Sequence, residues 1–80
     1  MVEVNNKLLK TRVLESGLSY SAIAKEANVS KSTIHNLILG RHAPSHHLTT
    51  HLAIILNFTQ TDFNEVFYPN LKFAKELLND

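Results

Sequence analysis

The sequence predicts an all-α fold, and three observations carry that prediction. Apolar residues recur at helical spacing along most of the 80-residue chain, and no segment alternates as a strand would. Serine and threonine stand just before the periodic runs, where a side-chain oxygen can accept a helix's first free N–H groups. Gly17, Asn28, Gly40 and Asn57 stand just after them, at positions suited to a left-handed stop.

Taken in order, a first helix runs from about Asn6 to Ser16, with Leu9, Val13 and the flanking pair Leu8 and Leu14 facing inward, and Gly17 stops it. Ser19 caps a second helix from Tyr20 to Ala27, whose inner side is Ile23, Ala24 and Ala27, and a tight turn follows at Asn28. Ser30 caps a third helix from Lys31 to Leu39, closed by Gly40. Arg41 to Pro44 is a short loop. Ser45 then caps a fourth helix that reaches about Leu56, buries Leu48, Leu52, Ala53, Ile55 and Leu56, and ends at Asn57. The fifth start is the best-signed boundary: Thr59 and Asp62 have capping-box spacing, and Phe58 and Phe63 flank them at staple positions. This helix ends near Phe67, before Pro69, and Asn70 caps a short sixth helix from Leu71 to Leu78. The expected architecture is a compact five-helix bundle over residues 1–68, with residues 69–80 a C-terminal segment for dimerisation or docking.

Composition narrows the function. Hydrophobic residues are 44% of the chain and charged residues 19%, which is globular rather than disordered. No apolar run is long enough to span a bilayer, the first residues lack a signal-peptide layout, and the absence of cysteine excludes disulfides and thiolate metal sites. A reducing cytoplasm is the expected location, with no membrane partner and no cofactor. The net charge is only +1, but it is unevenly spread. Residues 1–61 carry Lys7, Lys10, Arg12, Lys25, Lys31 and Arg41 against Glu3, Glu15 and Glu26, a balance of +3, and residues 62–80 carry −2. Between Ala27 and Thr61 there is no acid, while Lys31, Arg41 and all five histidines lie there. A positive field without acidic neighbours suits a phosphate-facing surface.

The segment from Tyr20 to Leu37 carries the functional signal. Two short helices are joined by a turn of about three residues, with small Ala24 facing Ile34 and Leu37 where a steep crossing leaves little room. Ile23, Val29, Ile34 and Leu37 form the wedge that fixes the crossing. That geometry is a helix-turn-helix, whose second helix enters a DNA major groove. The outer face of this helix offers Lys31, Ser32, His35 and Asn36, none acidic. Asparagine pairs bidentately with adenine, lysine donates to guanine, and the helix N-terminus at Ser30 to Ser32 favours a phosphate.

Gly17 to Ile34 resembles the Cro-and-repressor type helix-turn-helix family of phage and bacterial regulators. That family runs Gly-Leu-Ser/Thr-Gln, then Leu-Ala, Gly-Val-Ser and Thr-Ile; here the stretch reads Gly17-Leu18-Ser19-Tyr20, Ile23-Ala24, Asn28-Val29-Ser30 and Thr33-Ile34. Gly40 to Ser45 resembles the family's loop after the recognition helix, and Leu52-Ala53 with Leu56 to Thr59 resembles a later segment, so the similarity covers about Leu9 to Phe67. It implies a five-helix bundle that binds operator DNA as a homodimer on a two-fold site. Carried over by position, Lys31, Ser32, His35 and Asn36 are the expected base contacts. Tyr20, Ser30, Thr33, Arg41 and His42 are the expected phosphate contacts, with Tyr20 standing where the family usually has glutamine. Three departures matter for packing. Asn28 replaces a turn glycine, Arg12-Val13 reverses the usual apolar-then-basic order, and His46, Thr49 and Thr50 replace apolar residues, which predicts a fourth helix that is rotated or begins later.

Other chemistries fare worse. His47 and His51 are spaced i, i+4, and His46 and His42 lie near, but no acid or cysteine completes a zinc set, so no metal is expected. Without a nucleophile elbow or a Gly-rich phosphate loop, no enzymatic activity is expected. Five of the six aromatics lie from Phe58 to Phe73. Phe58 and Phe63 fill a core. Phe67, Tyr68, Leu71, Phe73, Leu77 and Leu78 exceed what a helix-turn-helix needs and are expected at a dimer interface. The alternative reading is a protein-binding module on this scaffold, an antirepressor or antitoxin-like partner of a second regulator protein.

Overall fold

The computed structural model describes residues 4–69. Among them five α-helices follow one another: α1 (Asn6–Ser16), α2 (Tyr20–Ala27), α3 (Lys31–Ile38), α4 (His46–Ile55) and α5 (Gln60–Phe67). Residues 70–80, with the expected sixth helix, lie outside the described residues.

Each helix begins on a side-chain oxygen that accepts a backbone N–H. Asn5 takes that of Leu8, Ser19 that of Ala22, Ser30 that of Thr33 and Ser45 that of Leu48. Thr59 takes that of Asp62, and the Asp62 carboxylate accepts the Thr59 N–H in return, completing the capping box. The ends share a device too. After α2, Asn28 (φ 59°) donates to the Lys25 carbonyl and Val29 to that of Ala24. After α3, Gly40 (φ 76°) donates to Leu37 and Arg41 to Asn36; after α4, Asn57 (φ 56°) donates to Ile54 and Phe58 to Ala53. These are three Schellman stops, which satisfy otherwise orphaned carbonyls and turn the chain sharply. Gly40 answers a second demand, because a Cβ there would lie 2.6 Å from the Asn6 amide nitrogen.

Every helix contributes to one core. Leu9 and Val13 enter it from α1; Ile23, Ala24 and Ala27 from α2; Ile34, Leu37 and Ile38 from α3; Leu48 and Leu52 from α4; Val66 and Phe67 from α5. Helix α2 packs on α3 and α4, and α1 packs on α3 and α5. The Asn5 N–H donates to the Val66 carbonyl at 2.7 Å, which ties the start of α1 to the end of α5.

Several packing expectations need correction. Leu14 is 69% exposed, because the i, i+4 pair Leu9 and Val13 fixes the inner face of α1 and turns Leu14 outward. Helix α4 begins at His46, where Ser45 caps it, and not later. Thr49 is buried there in place of an apolar residue, and its hydroxyl donates to the His46 carbonyl at 2.7 Å, so its burial leaves no donor unmet. Ala53, Ile55 and Leu56 are half-buried rather than buried, and Ile54 faces solvent. Leu39, expected as the last residue of the third helix, is its cap and is half exposed. The largest correction concerns Phe67, expected at a dimer interface. It is fully buried in the chain's own core, with its ring against those of Phe58 and Phe63 at 6.2 and 5.3 Å between centroids, so it has no surface to offer. Tyr68 stacks on Phe63 and stays half-buried, while Leu71, Phe73, Leu77 and Leu78 lie outside the described residues.

Candidate nucleic-acid interface

Helix α3 is two-faced. Ile34, Leu37 and Ile38 are buried against the core, with Ile23 behind them and Val29 packed at the turn, so the rotation of α3 about its axis is set by apolar burial. That rotation turns Lys31, Ser32 and His35 into solvent and leaves Thr33 and Asn36 half-exposed at the margin. The outward set carries no acid.

The expected contact residues fall into three local groups. At the helix start, the Ser30 hydroxyl accepts the Thr33 N–H at 3.1 Å and meets the Thr33 hydroxyl at 2.9 Å. One of the two hydroxyl protons bridges the pair and the other stays free to donate, so an anion at this end can meet that hydroxyl as well as the backbone N–H groups of the first turn, beside exposed Lys31 and Ser32. At the middle, the Tyr20 and His35 rings meet edge to face with centroids 6.1 Å apart, joining the start of α2 to the outer side of α3. At the helix end, Arg41 Nη1 donates to Asn36 Oδ1 at 3.2 Å, so the loop residue and the expected base reader are in direct contact. His42 is exposed in the loop beyond.

Two residues emerge that the sequence reading used only for charge balance. Lys7 and Lys10 line an open groove with Tyr20, His35, Ile38 and Leu39, where the first two turns of α1 pass beside α3. Their i, i+3 spacing on the exposed side of α1 was a legible signal for one shared face. Their proximity to His35 depends on how α1 lies across α3.

The histidines of α4 form no comparable site. The His47 and His51 rings are 4.2 Å apart, and His51 Nδ1 faces the His47 carbonyl at 3.0 Å, so that nitrogen is held within the helix. Among the described residues no group of three or more His, Cys, Asp or Glu side chains is placed to hold a metal ion. No described helix is long and apolar enough to cross a membrane.

Comparison with known proteins agrees with this geometry. The helix-turn-helix domain family matches the chain over residues 7–66, from the first turn of α1 almost to the end of α5. Neither the curated proteins nor the solved structures give a match.

Proposed function

The chain belongs to the helix-turn-helix domain family, and from that premise we propose that it is a sequence-specific regulator of transcription, a small protein of the Cro or repressor kind. It occupies operator DNA by laying α3 in the major groove. The observation that carries the reading is the acid-free outer face of α3, Lys31, Ser32, His35 and Asn36, held outward by the burial of Ile34, Leu37 and Ile38. Lys31, Ser32, His35 and Asn36 read base edges. Tyr20, the first-turn N–H groups after Ser30, Thr33, Arg41 and His42 lie toward phosphates, and the groove of Lys7 and Lys10 adds a second line of positive charge on the same side.

The proposal includes a homodimer, since one +1 chain neutralises few phosphates and a two-fold pair doubles the contact. Two recognition helices would then sit about 34 Å apart on half-sites roughly 10 bp apart. With Phe67 withdrawn to the core, the contact falls to Tyr68 and the segment from Leu71 to Leu78. The protein acts in a bacterial cytoplasm, on the nucleoid, and has no catalytic role.

The deciding experiment selects bound duplexes from a randomised pool at physiological salt. An enriched inverted repeat, with half-sites near one helical turn apart, supports a dimeric operator-binding regulator and supplies its operator. A single enriched half-site keeps the DNA reading and removes the dimer. No enrichment, with binding that fades as salt rises, transfers the scaffold to a protein partner. The exposed Ile54 beside Thr50, Ala53, Phe58 and Phe63 is then the surface to examine.

A further inference from the structure

The three Schellman stops differ at one place. In such a stop the residue after the left-handed position lies over the residue five earlier, and the two are commonly an apolar pair. After α2 they are Ala24 and Val29, and after α4 they are Ala53 and Phe58. After α3 they are Asn36 and Arg41, and beside the backbone bond of 2.9 Å their side chains add a second, Nη1 to Oδ1 at 3.2 Å. The loop is therefore anchored twice on one residue, the one placed to read a base.

The chemistry of that second bond has a consequence for readout. A guanidinium only donates, so the Asn36 atom that faces it is the oxygen, and the amide nitrogen is turned to the other side. Bidentate reading of adenine needs this kind of order: the oxygen accepts from N6 and the nitrogen donates to N7. The amide oxygen has two lone pairs, so it accepts from Arg41 and from a base together. Without Arg41 the two amide orientations, related by a half-turn, differ little in energy on a half-exposed side chain. The reversed one then sets donor against donor at the base edge.

Resting on the DNA-reading function above, we propose that Arg41 is the positioning residue that orients the Asn36 amide, so that base choice at one A·T pair depends on a loop residue outside the recognition helix. Its remaining donors stay free for the phosphate backbone, and one side chain serves both affinity and specificity.

The test uses the full chain and the duplex selected from the random pool, with three variants of it at the base pair whose discrimination Asn36→Ala abolishes. Affinity ratios between these duplexes are measured for the unaltered protein, Asn36→Ala, Arg41→Ala and the double variant. The expected result is a ratio compressed about three- to tenfold by Arg41→Ala at that pair and no other, the size of a typical net hydrogen bond. In the Asn36→Ala background Arg41→Ala compresses it no further. Equal loss on all duplexes overturns the positioning role while leaving DNA recognition intact. An Asn36→Ala protein that discriminates as before at every position overturns the reading of Asn36 and this proposal with it. A second readout needs no DNA: the side-chain amide NMR signals of Asn36 shift in free Arg41→Ala, and unchanged signals refute the contact.

Discussion

Arg12 of α1 reaches Asp62 in the first turn of α5, Nη2 to Oδ1 at 3.4 Å, while the other carboxylate oxygen of Asp62 accepts the Thr59 N–H at 3.1 Å. One carboxylate thus caps α5 and ties it to α1, the helix whose lysines line the candidate DNA face. The Thr59 N–H is the main influence holding the Asp62 carboxyl below its ordinary value of 3.8; partial burial opposes it, and the Thr59 hydroxyl and Arg12 add to the lowering. A carboxyl with a depressed folded value takes up its proton more readily when unfolded. Its stabilisation is therefore complete well above pH 3.8 and fades as pH falls through the lower folded value. Thermal melts of the unaltered protein and Asp62→Asn should differ at pH 7 and converge in acid. A gap that stays constant over the acid range contradicts this assignment.

Ala24 is 3% exposed at the packing of α2 on α3, next to Ile23, Ile34 and Leu37 in the core. Ala24→Leu should destabilise the fold by about 1–3 kcal/mol through overpacking. For a domain of this size each kcal/mol lowers the melting temperature by roughly 4–8 °C. A melting temperature unchanged within error would mean that the crossing has room to spare.

Asn28 holds φ 59° between α2 and α3. Alanine carries a left-handed penalty of roughly 1–2 kcal/mol, which glycine escapes. Asn28→Ala should lower stability in denaturant titration, whereas Asn28→Gly should stay close to the parent. If the two variants melt alike, the left-handed turn is not what selects asparagine here.

Asn36→Ala should cost ~1–3 kcal/mol at one base pair of the selected operator and leave scrambled duplex nearly unaffected. Titrations of both duplexes at one salt concentration provide the comparison. Equal loss on cognate and scrambled DNA would remove Asn36 from base readout.

Lys10→Ala should behave oppositely. It faces the groove with Lys7, Tyr20 and His35, so its loss should weaken binding to all sequences alike and reduce the slope of log affinity against log salt by about 1. An unchanged slope would take α1 away from the phosphate backbone.

The local grammar of this protein was legible in its sequence. The starts of α2 to α5 were announced by their caps Ser19, Ser30, Ser45 and Thr59, and four of the stops by Gly17, Asn28, Gly40 and Asn57, because capping and left-handed turns are decided by residues three to six apart. The inner face of α3 was legible for the same reason, since Ile34 and Leu37 share one side of a short helix. The fate of side chains between helices was not. Phe67 looked available for a partner, yet Phe58 and Phe63 close over it from before and within α5. Thr49 looked too polar for the inside, yet a carbonyl one turn back satisfies its hydroxyl. Lys7 and Lys10 reached the candidate DNA face only because α1 lies beside α3. Sequence by itself determined the helix boundaries to within about a residue and, for α2 and α3, the side turned inward. Tertiary structure alone decided which surfaces meet, because burial depends on neighbours that are distant along the chain, and local spacing carries no record of them.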